Sequence, residues 1–588
     1  MKAMILTAGQ GSRMRPLTHD THKALLTVAG KSILRHVVDS LLMHGIRDIV
    51  IVLGYQAEAI QAHLDTWYPD LSFSYVTNDR FMKTNNIVSL SLALNAGPID
   101  QDIVLIECDL VFDPSVIGRV IQSPYPDVAL VGRYRTGMDG TVLVLSGNLI
   151  TDVVTPQRQG DDFVLSDKFK TINIYKFSKG FCESHFRRLL DYYAATVENA
   201  YYELVLGVII YLNHHPIYAE IIDDEKWIEV DTPNDLEAAH FMFEPSQRQS
   251  MLDHTFGGYW NLPILDFCFI RNMYFPSGAI YSELKSNLIG CIQNYGSTQS
   301  VLNRKLSYFL LCSVERVLAL NGASQIFPMM GRFFASHKVI IPNPTFGEYS
   351  KIFPQADHYA DHCADGEARP EWENYDVVVV VNPNNPTGTI FSSQALHEWA
   401  MQHPATTLIV DESFIEFSGQ PSVMSLLEDS PLPNIIIVKS LSKNLGIPGL
   451  RLGYIYTSND VFYAAASRDI PIWNMNSLAE YFLEIILRHR QSLELSYEKT
   501  MADREIFCAQ LSTLSVVQAV YPSGGNFVLV KWHSDAPIDL EETLLSTANL
   551  YIKKLTKMTG GRYSRLAVRL PHENTLLIDA IKQIGGQK

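Results

Sequence analysis

Lys443 stands in the stretch SLSKNLGIPGLRLG, Ser440 to Gly453, directly after the apolar run Ile435-Ile436-Ile437-Val438. That run reads as a buried strand. A lysine leaving a buried strand is desolvated, so its ammonium loses a proton more readily and the free amine can attack a carbonyl. Ser440, Ser442 and Arg451 supply donors for a phosphate held beside that amine. A second set of reactive residues opens the chain. In TAGQGSRMRPLT, Gly9 and Gly11 let backbone N–H groups approach a phosphate, and Arg13 adds charge. Lys23 follows downstream. The runs Val104 to Asp109 and Trp227 to Asp231 each close on an aspartate. Two aspartates at strand ends suit one hard divalent cation, Mg2+, bridging phosphate oxygens. Asp109 also reads as a turn residue, and Asp231 equally as a helix cap. The Lys-Ser/Thr pair of a P-loop is missing, which disfavours a Walker-type ATPase.

These residues need elements to aim them. Ala3 to Leu6 reads as a strand, Ser32 to Met43 as a helix and Asp48 to Leu53 as the next strand, an α/β opening. Val377 to Val381 is β-branched throughout and reads as a central parallel strand; Leu408 to Asp411 is another strand ending in an acid. In open α/β sheets ligands bind at that carboxyl edge. A chain of 588 residues exceeds one core, so two to four domains are expected. The polar stretch from Glu244 predicts domains at 1–243 and 255–588 with a linker at 244–254. A net charge of -16 without a basic run argues against nucleic acid and anionic membranes as partners. The start MKAMILTAGQG lacks a signal peptide, and no long apolar run occurs, so a cytoplasmic protein is expected. Cys108, Cys182, Cys268, Cys291, Cys312, Cys363 and Cys508 never form a C-x-x-C pair and read as reduced thiols without zinc.

LTAGQGSRMRPLT and THKALLTVAGKSIL, within about residues 1–243, resemble the nucleotidyltransferase family of sugar-1-phosphate nucleotidylyltransferases and bacterial choline-phosphate cytidylyltransferases. His22 stands where that family usually has proline, a change that alters loop stiffness but keeps Lys23. TNNIVSLSLA, Thr84 to Ala93, is similar to the cytidylyltransferase branch. The resemblance implies a Rossmann-like fold and CTP as the nucleotide. Leu6, Ala8, Gly9, Gly11, Ser12 and Arg13 would form the loop around it, and Lys23, Asn85, Asn86 and Ser89 the other contacts. Asp109 and Asp231 match the metal positions. A substrate phosphate would then attack the α-phosphorus, with positioning and charge neutralisation by Lys23, Arg13 and Mg2+. In AYYEL, Tyr201, Tyr202 and Glu203 match an aromatic-acid segment that lies by a quaternary ammonium and hold a cation by ring faces and charge. The alternative is a helix with both tyrosines packed and Glu203 exposed.

The second half resembles class I/II pyridoxal-phosphate enzymes, especially histidinol-phosphate aminotransferases and threonine-phosphate decarboxylases. NGAS, PNPTFGEY, NPNNPTG, Asp411, SLSK and Arg451 occur in that family's order. The resemblance implies a type I pyridoxal-phosphate transferase fold with Lys443 bearing the cofactor. Asp411 would face the pyridine nitrogen, Asn385 the phenolic oxygen and Phe346 the ring face. Ala323, Ser324, Ser440, Ser442 and Arg451 would hold its phosphate. Tyr295 matches a tyrosine that reaches a neighbouring subunit's cofactor, which implies a homodimer. Phe414 stands where aminotransferases carry tyrosine. PIWNMNSLAE, with Asn476, and RLAVRLPHEN look like the decarboxylase branch. Arg565 matches the arginine that holds the substrate carboxylate. Arg569, four residues on and same-faced in a strand, offers a cation to a second anion or is a surface charge. Thr255 to Ser277 looks like the N-terminal arm of fused nucleotidyltransferase–aminotransferase proteins.

The whole chain is similar to the fused cytidylyltransferase–decarboxylase proteins of phosphonate pathways. An amino acid bearing a phosphate or phosphonate satisfies both halves. The expected activity is cytidylyl transfer to such a compound together with its pyridoxal-phosphate-dependent decarboxylation. Transamination of a phosphorylated substrate, such as histidinol phosphate, is the alternative; a non-catalytic sensor is a third reading.

Overall fold

Strand Lys2–Leu6 is apolar on both faces after its first residue, so it needs cover on both sides, and it runs through the middle of a sheet. The computed structural model describes residues 1–135, 137–160, 163–361 and 371–586, in two compact units, Met1–Pro263 and Ile264–Lys588. Cys363 lies outside the described residues; the other six cysteines are free thiols.

Among the described residues, unit one holds a nine-stranded sheet. Its parallel half runs Phe73–Thr77, Asp48–Leu53, Lys2–Leu6, Ile103–Glu107. Phe169–Phe177 pairs antiparallel to Ile103–Glu107 and leads into Val128–Arg133, Tyr218–Ile221, Leu149–Val154 and Val142–Ser146. Helices cover both faces, and their apolar stripes bury Leu34, Val38 and Leu41 on one side and Ile87, Leu90 and Leu94 on the other. Trp227–Glu229 pairs with Leu110–Phe112 as a separate ribbon. That pairing brings the two segments with strand-end aspartates side by side. The stretch expected as a linker at 244–254 is helical, with the turn Pro245–Gln247 and the helix Arg248–Thr255, and it falls within unit one.

Among its described residues, unit two has a seven-stranded sheet. Parallel strands Val339–Asn343, Val377–Val381, Thr407–Asp411 and Ile435–Ser440 form its centre. Val381, Asp411 and Val438 are register partners, so the segments after them emerge along one edge. A four-stranded antiparallel sheet near the C-terminus carries Arg565 on strand Arg562–Ala567. Among the described residues no helix is long and apolar enough to cross a membrane.

Candidate active sites

In unit one, Gly11 is left-handed (φ 59°), and a Cβ there would come within 3.0 Å of the Lys23 Cβ. The loop after the first strand therefore folds closely over the turn Lys23–Leu25. His22 caps that turn: its Nδ1 accepts the Ala24 N–H at 3.0 Å. Burial lowers the His22 pKa to about 4, so it stays neutral and able to accept. A proline there would be stiffer but offers no side-chain acceptor. Lys23 Nζ lies 2.8 Å from Asp109 Oδ2 and 2.9 Å from Asp231 Oδ1, and Arg13 Nη2 lies 2.8 Å from Asp231 Oδ2. Burial pulls the Lys23 pKa down, but the two carboxylates more than reverse this and hold it above its ordinary value. Lys23 is thus a fixed positive charge. Asp231 is not the cap of the following helix: Thr232 caps Pro233–Phe243 in a capping box with Asp235.

Glu229 was not foreseen. It ends the strand Trp227–Glu229, and Asp231 follows two residues on, the spacing that sets two side chains of an extended chain on one face. One oxygen each from Asp109, Glu229 and Asp231 lie within 4.8 Å of one another, and Asp109 Oδ1 is buried without a partner. Such an oxygen-only set fits Mg2+. Behind it, Lys170 Nζ pairs with Glu229 at 2.9 Å and Asn173 Nδ2 donates to Glu229 at 3.0 Å. Both come from strand Phe169–Phe177, whose register shifts between Thr171 and Tyr175 and whose Asn173 is left-handed (φ 59°). Nothing local in the sequence marks this pairing. Glu107 and Glu203 join the group. Burial raises both, Glu203 to about 7, and likewise Glu229 to about 7.

Several expected contacts are spent within the fold. Tyr202 is fully buried, edge-on to Tyr175, and cannot offer a ring face to a ligand; Tyr201 is partly exposed. Glu203 is buried rather than exposed, with Oε2 unpartnered. Asn85 caps its own helix, Asn86 binds Glu107 and the Tyr202 N–H, and buried Ser89 accepts from Asn78. The side chains of these three are thus engaged in hydrogen bonds within the unit. Leu6 and Ala8 are buried beneath the glycine loop, while Gly9, Ser12 and Arg13 are accessible.

In unit two, Lys443 sits in the short helix Leu441–Asn444 at the end of strand Ile435–Ser440. Burial lowers its pKa to about 8, helped by the Arg565 and Arg451 charges. Asp411 is held from both sides: Tyr349 donates to Oδ2 at 2.9 Å and Ser413 to Oδ1 at 2.6 Å. Ser413 Oγ also accepts the Ser440 N–H at 3.0 Å, tying the acid to the lysine segment. Arg451 Nη2 donates to Ser324 at 3.1 Å. A Cβ on Gly322 (φ 77°) would lie 2.5 Å from the same guanidinium, so glycine is required there. Ser442 Oγ is buried with no protein partner. A low-pKa lysine, an orphan hydroxyl, an arginine against a glycine turn and a fixed carboxylate fit pyridoxal phosphate. Ala323 starts the turn beside Ser324, and Phe346 is 40% exposed, free to cover a ring.

Arg565 Nη1 donates to Asn385 Oδ1 at 2.6 Å, which leaves the asparagine Nδ2 as its donor. Phe414 packs edge-on against Phe527 and, as expected, has no hydroxyl to offer. Arg569 corrects its reading. The strand ends at Ala567, and buried Arg569 forks onto Glu573 and the Asp266 carbonyl, bracing the helix Pro571–Gly585. It is neither a second substrate anchor nor a surface charge. Asn476 likewise caps the helix Ser477–Ile485 and donates to the Leu450 carbonyl. Tyr295 stacks on Trp473, with ring centroids 4.4 Å apart, and is 79% exposed.

The aminotransferase class I and II family matches residues 277–581, and the MobA-like NTP transferase domain matches residues 3–167. The chain is 29% identical over 606 aligned residues to CMP-5'-(3-aminopropyl)phosphonate synthase of Streptomyces rubellomurinus, covering 100% of this chain and 95% of that protein. It is 28% identical to L-serine phosphate decarboxylase of Sulfurospirillum multivorans, over 54% of this chain and 88% of that protein. The crystal structure of L-threonine-O-3-phosphate decarboxylase from Porphyromonas gingivalis aligns with a TM-score of 0.50 at 26% identity, over 54% of this chain and 99% of the other. The chain belongs to the class I and II aminotransferase family, with a MobA-like NTP transferase domain fused ahead of it.

Proposed function

We propose that the chain is a bifunctional enzyme that transfers CMP from CTP to a phospho- or phosphono-amino compound and decarboxylates the corresponding amino acid. The observation that carries this is the presence of both constellations on one chain: Lys23 between Asp109 and Asp231, and Lys443 beside Asp411 and Arg565. The full-length similarity to an enzyme named for a CMP-aminoalkylphosphonate supports it.

In the first reaction a phosphate or phosphonate oxygen attacks the α-phosphorus, the bond to the bridging oxygen breaks, and pyrophosphate leaves. Arg13 and Lys23 neutralise the phosphates, and neither donates a proton. Asp109, Asp231 and Glu229 would hold Mg2+, which supplies further neutralisation when bound. Lys170 offers a cation to the acceptor's anionic group. Glu203, ionised above about pH 7, adds negative charge that favours an acceptor with an ammonium end.

In the second reaction the bond from Cα to the carboxylate breaks, carbon dioxide leaves, and a proton returns to Cα. Pyridoxal phosphate supplies the electron sink. Asp411, fixed by Tyr349 and Ser413, would hold the pyridine nitrogen of the bound cofactor protonated. Arg565, oriented by Asn385, holds the substrate carboxylate and so selects which Cα bond breaks. Lys443, with its pKa near 8, carries the proton at Nζ. Phe414 and the similarity to phosphoamino-acid decarboxylases favour decarboxylation over amino transfer. The enzyme works in the cytoplasm as a homodimer. Exposed Ile289 and Ile292 on the helix Gly278–Gln293, with Tyr295 and Trp473, supply an apolar face for a second copy.

The test is incubation with each nucleoside triphosphate, Mg2+ and either O-phosphoserine or 2-amino-4-phosphonobutyrate, without a keto acid. Pyrophosphate should form fastest with CTP, and carbon dioxide should appear. Faster turnover with UTP or dTTP would overturn the nucleotide assignment.

A further inference from the structure

Beside Glu229 and Asp231 lies a cavity of about 350 Å3, the size of a small-molecule site. Lys170 and Arg135 bring positive charge to its lining; Asp139, Glu229, Asp231 and Asp235 bring negative charge. One wall comes from an unexpected place. Trp260 to Pro263 line the cavity, beyond the helix Arg248–Thr255 and outside the residues 3–167 matched to the NTP transferase domain. The chain turns back to form this wall at Gly257 (φ 124°) and Gly258 (φ 75°), conformations that L side chains rarely adopt. Trp260 is 82% exposed. Its ring thus lines the cavity while one side stays open to an incoming ligand.

Both charge signs in one small cavity suit a zwitterion. A tryptophan ring is also the best aromatic face for a cation. We propose that Trp260 is a specificity residue of the nucleotidyl acceptor site, its ring covering the ammonium end of an aminoalkyl phosphonate or phosphate whose anionic end reaches Lys170. This rests on the cytidylyl-transfer reading above. The segment that leads out of the first unit thereby completes that unit's acceptor pocket, and Trp260 discriminates for the amine.

The experiment uses the full-length holoenzyme with CTP and Mg2+, reading pyrophosphate release with 3-aminopropylphosphonate and with propylphosphonate, which lacks the amine. Trp260→Ala should raise KM for the amino acceptor about 3- to 30-fold. KM for CTP and for propylphosphonate should stay within about twofold of wild type. Trp260→Phe, which keeps a ring, should recover most of the loss. The amino acceptor should also change the tryptophan fluorescence of the wild type but not of Trp260→Phe. An unchanged KM in Trp260→Ala, or an equal rise for both acceptors, overturns the inference while cytidylyl transfer stands. Absence of pyrophosphate from the wild type with any amino acceptor overturns both.

Discussion

At the scale of single residues, the two lysines do opposite work because their neighbours differ. Lys23 faces two carboxylates and is kept charged; Lys443 faces Arg565 and Arg451 in a buried setting and is pushed towards the free amine, with a pKa of about 8. Only the free amine adds to the cofactor's aldehyde. Capture of pyridoxal phosphate by cofactor-free protein should therefore speed up as pH rises through about 8, and Lys443→Ala should lose the absorbance of bound cofactor. A flat pH profile would contradict this electrostatic account. Arg565 and Arg569 should also separate cleanly. Arg565→Ala should lower kcat/KM for the amino acid about 100-fold, because an oriented charged anchor is lost. Arg569→Ala should instead lower stability by about 3 kcal/mol in denaturant unfolding, since the largely shielded Glu573 keeps only the Leu570 N–H and the Asp266 carbonyl loses its donor, with KM unchanged. Arg569 as a substrate anchor was a strand-alternation argument. It failed because the strand stops at Ala567 and the next helix needs bracing.

At the scale of elements, what was legible was what repeats locally: apolar runs ending in acids, glycine turns, the lysine after its strand. Asp109, Asp231, Asp411 and Lys443 lie at the ends those runs implied. Contacts made by distant pairing were not legible. Lys170 meets Glu229 only because a bulged strand and a separate ribbon converge, and Tyr202 disappears into a core that no local pattern displays. The start of the helix Glu203–Tyr211 carries a consequence for pH. Burial raises Glu203 to about 7, so it is neutral below that pH and charged above it. The field that attracts an ammonium therefore grows with pH. KM for an amino acceptor should fall between about pH 6 and about pH 8, and Glu203→Gln should flatten that slope while keeping side-chain size. A KM that rises with pH in the wild type would contradict this.

At the scale of the whole molecule, each compact unit carries its own cluster of candidate catalytic groups, around Lys23 in the first and Lys443 in the second. Asp109→Asn should abolish pyrophosphate release and leave the cofactor absorbance intact, while Lys443→Ala should do the reverse. Sedimentation should give twice the chain mass of 66.2 kDa, and Ile289→Glu with Ile292→Glu should shift it towards one. The proposed enzyme joins cytidylyl transfer and decarboxylation on one chain and one class of substrate. Its most direct test is 2-amino-4-phosphonobutyrate labelled in the carboxylate, given with CTP and Mg2+ and then with 2-oxoglutarate added. Labelled carbon dioxide is expected before the keto acid is added, with a CMP-aminoalkylphosphonate formed. Label that stays on the substrate carbon while glutamate accumulates would contradict it and make the second unit an aminotransferase.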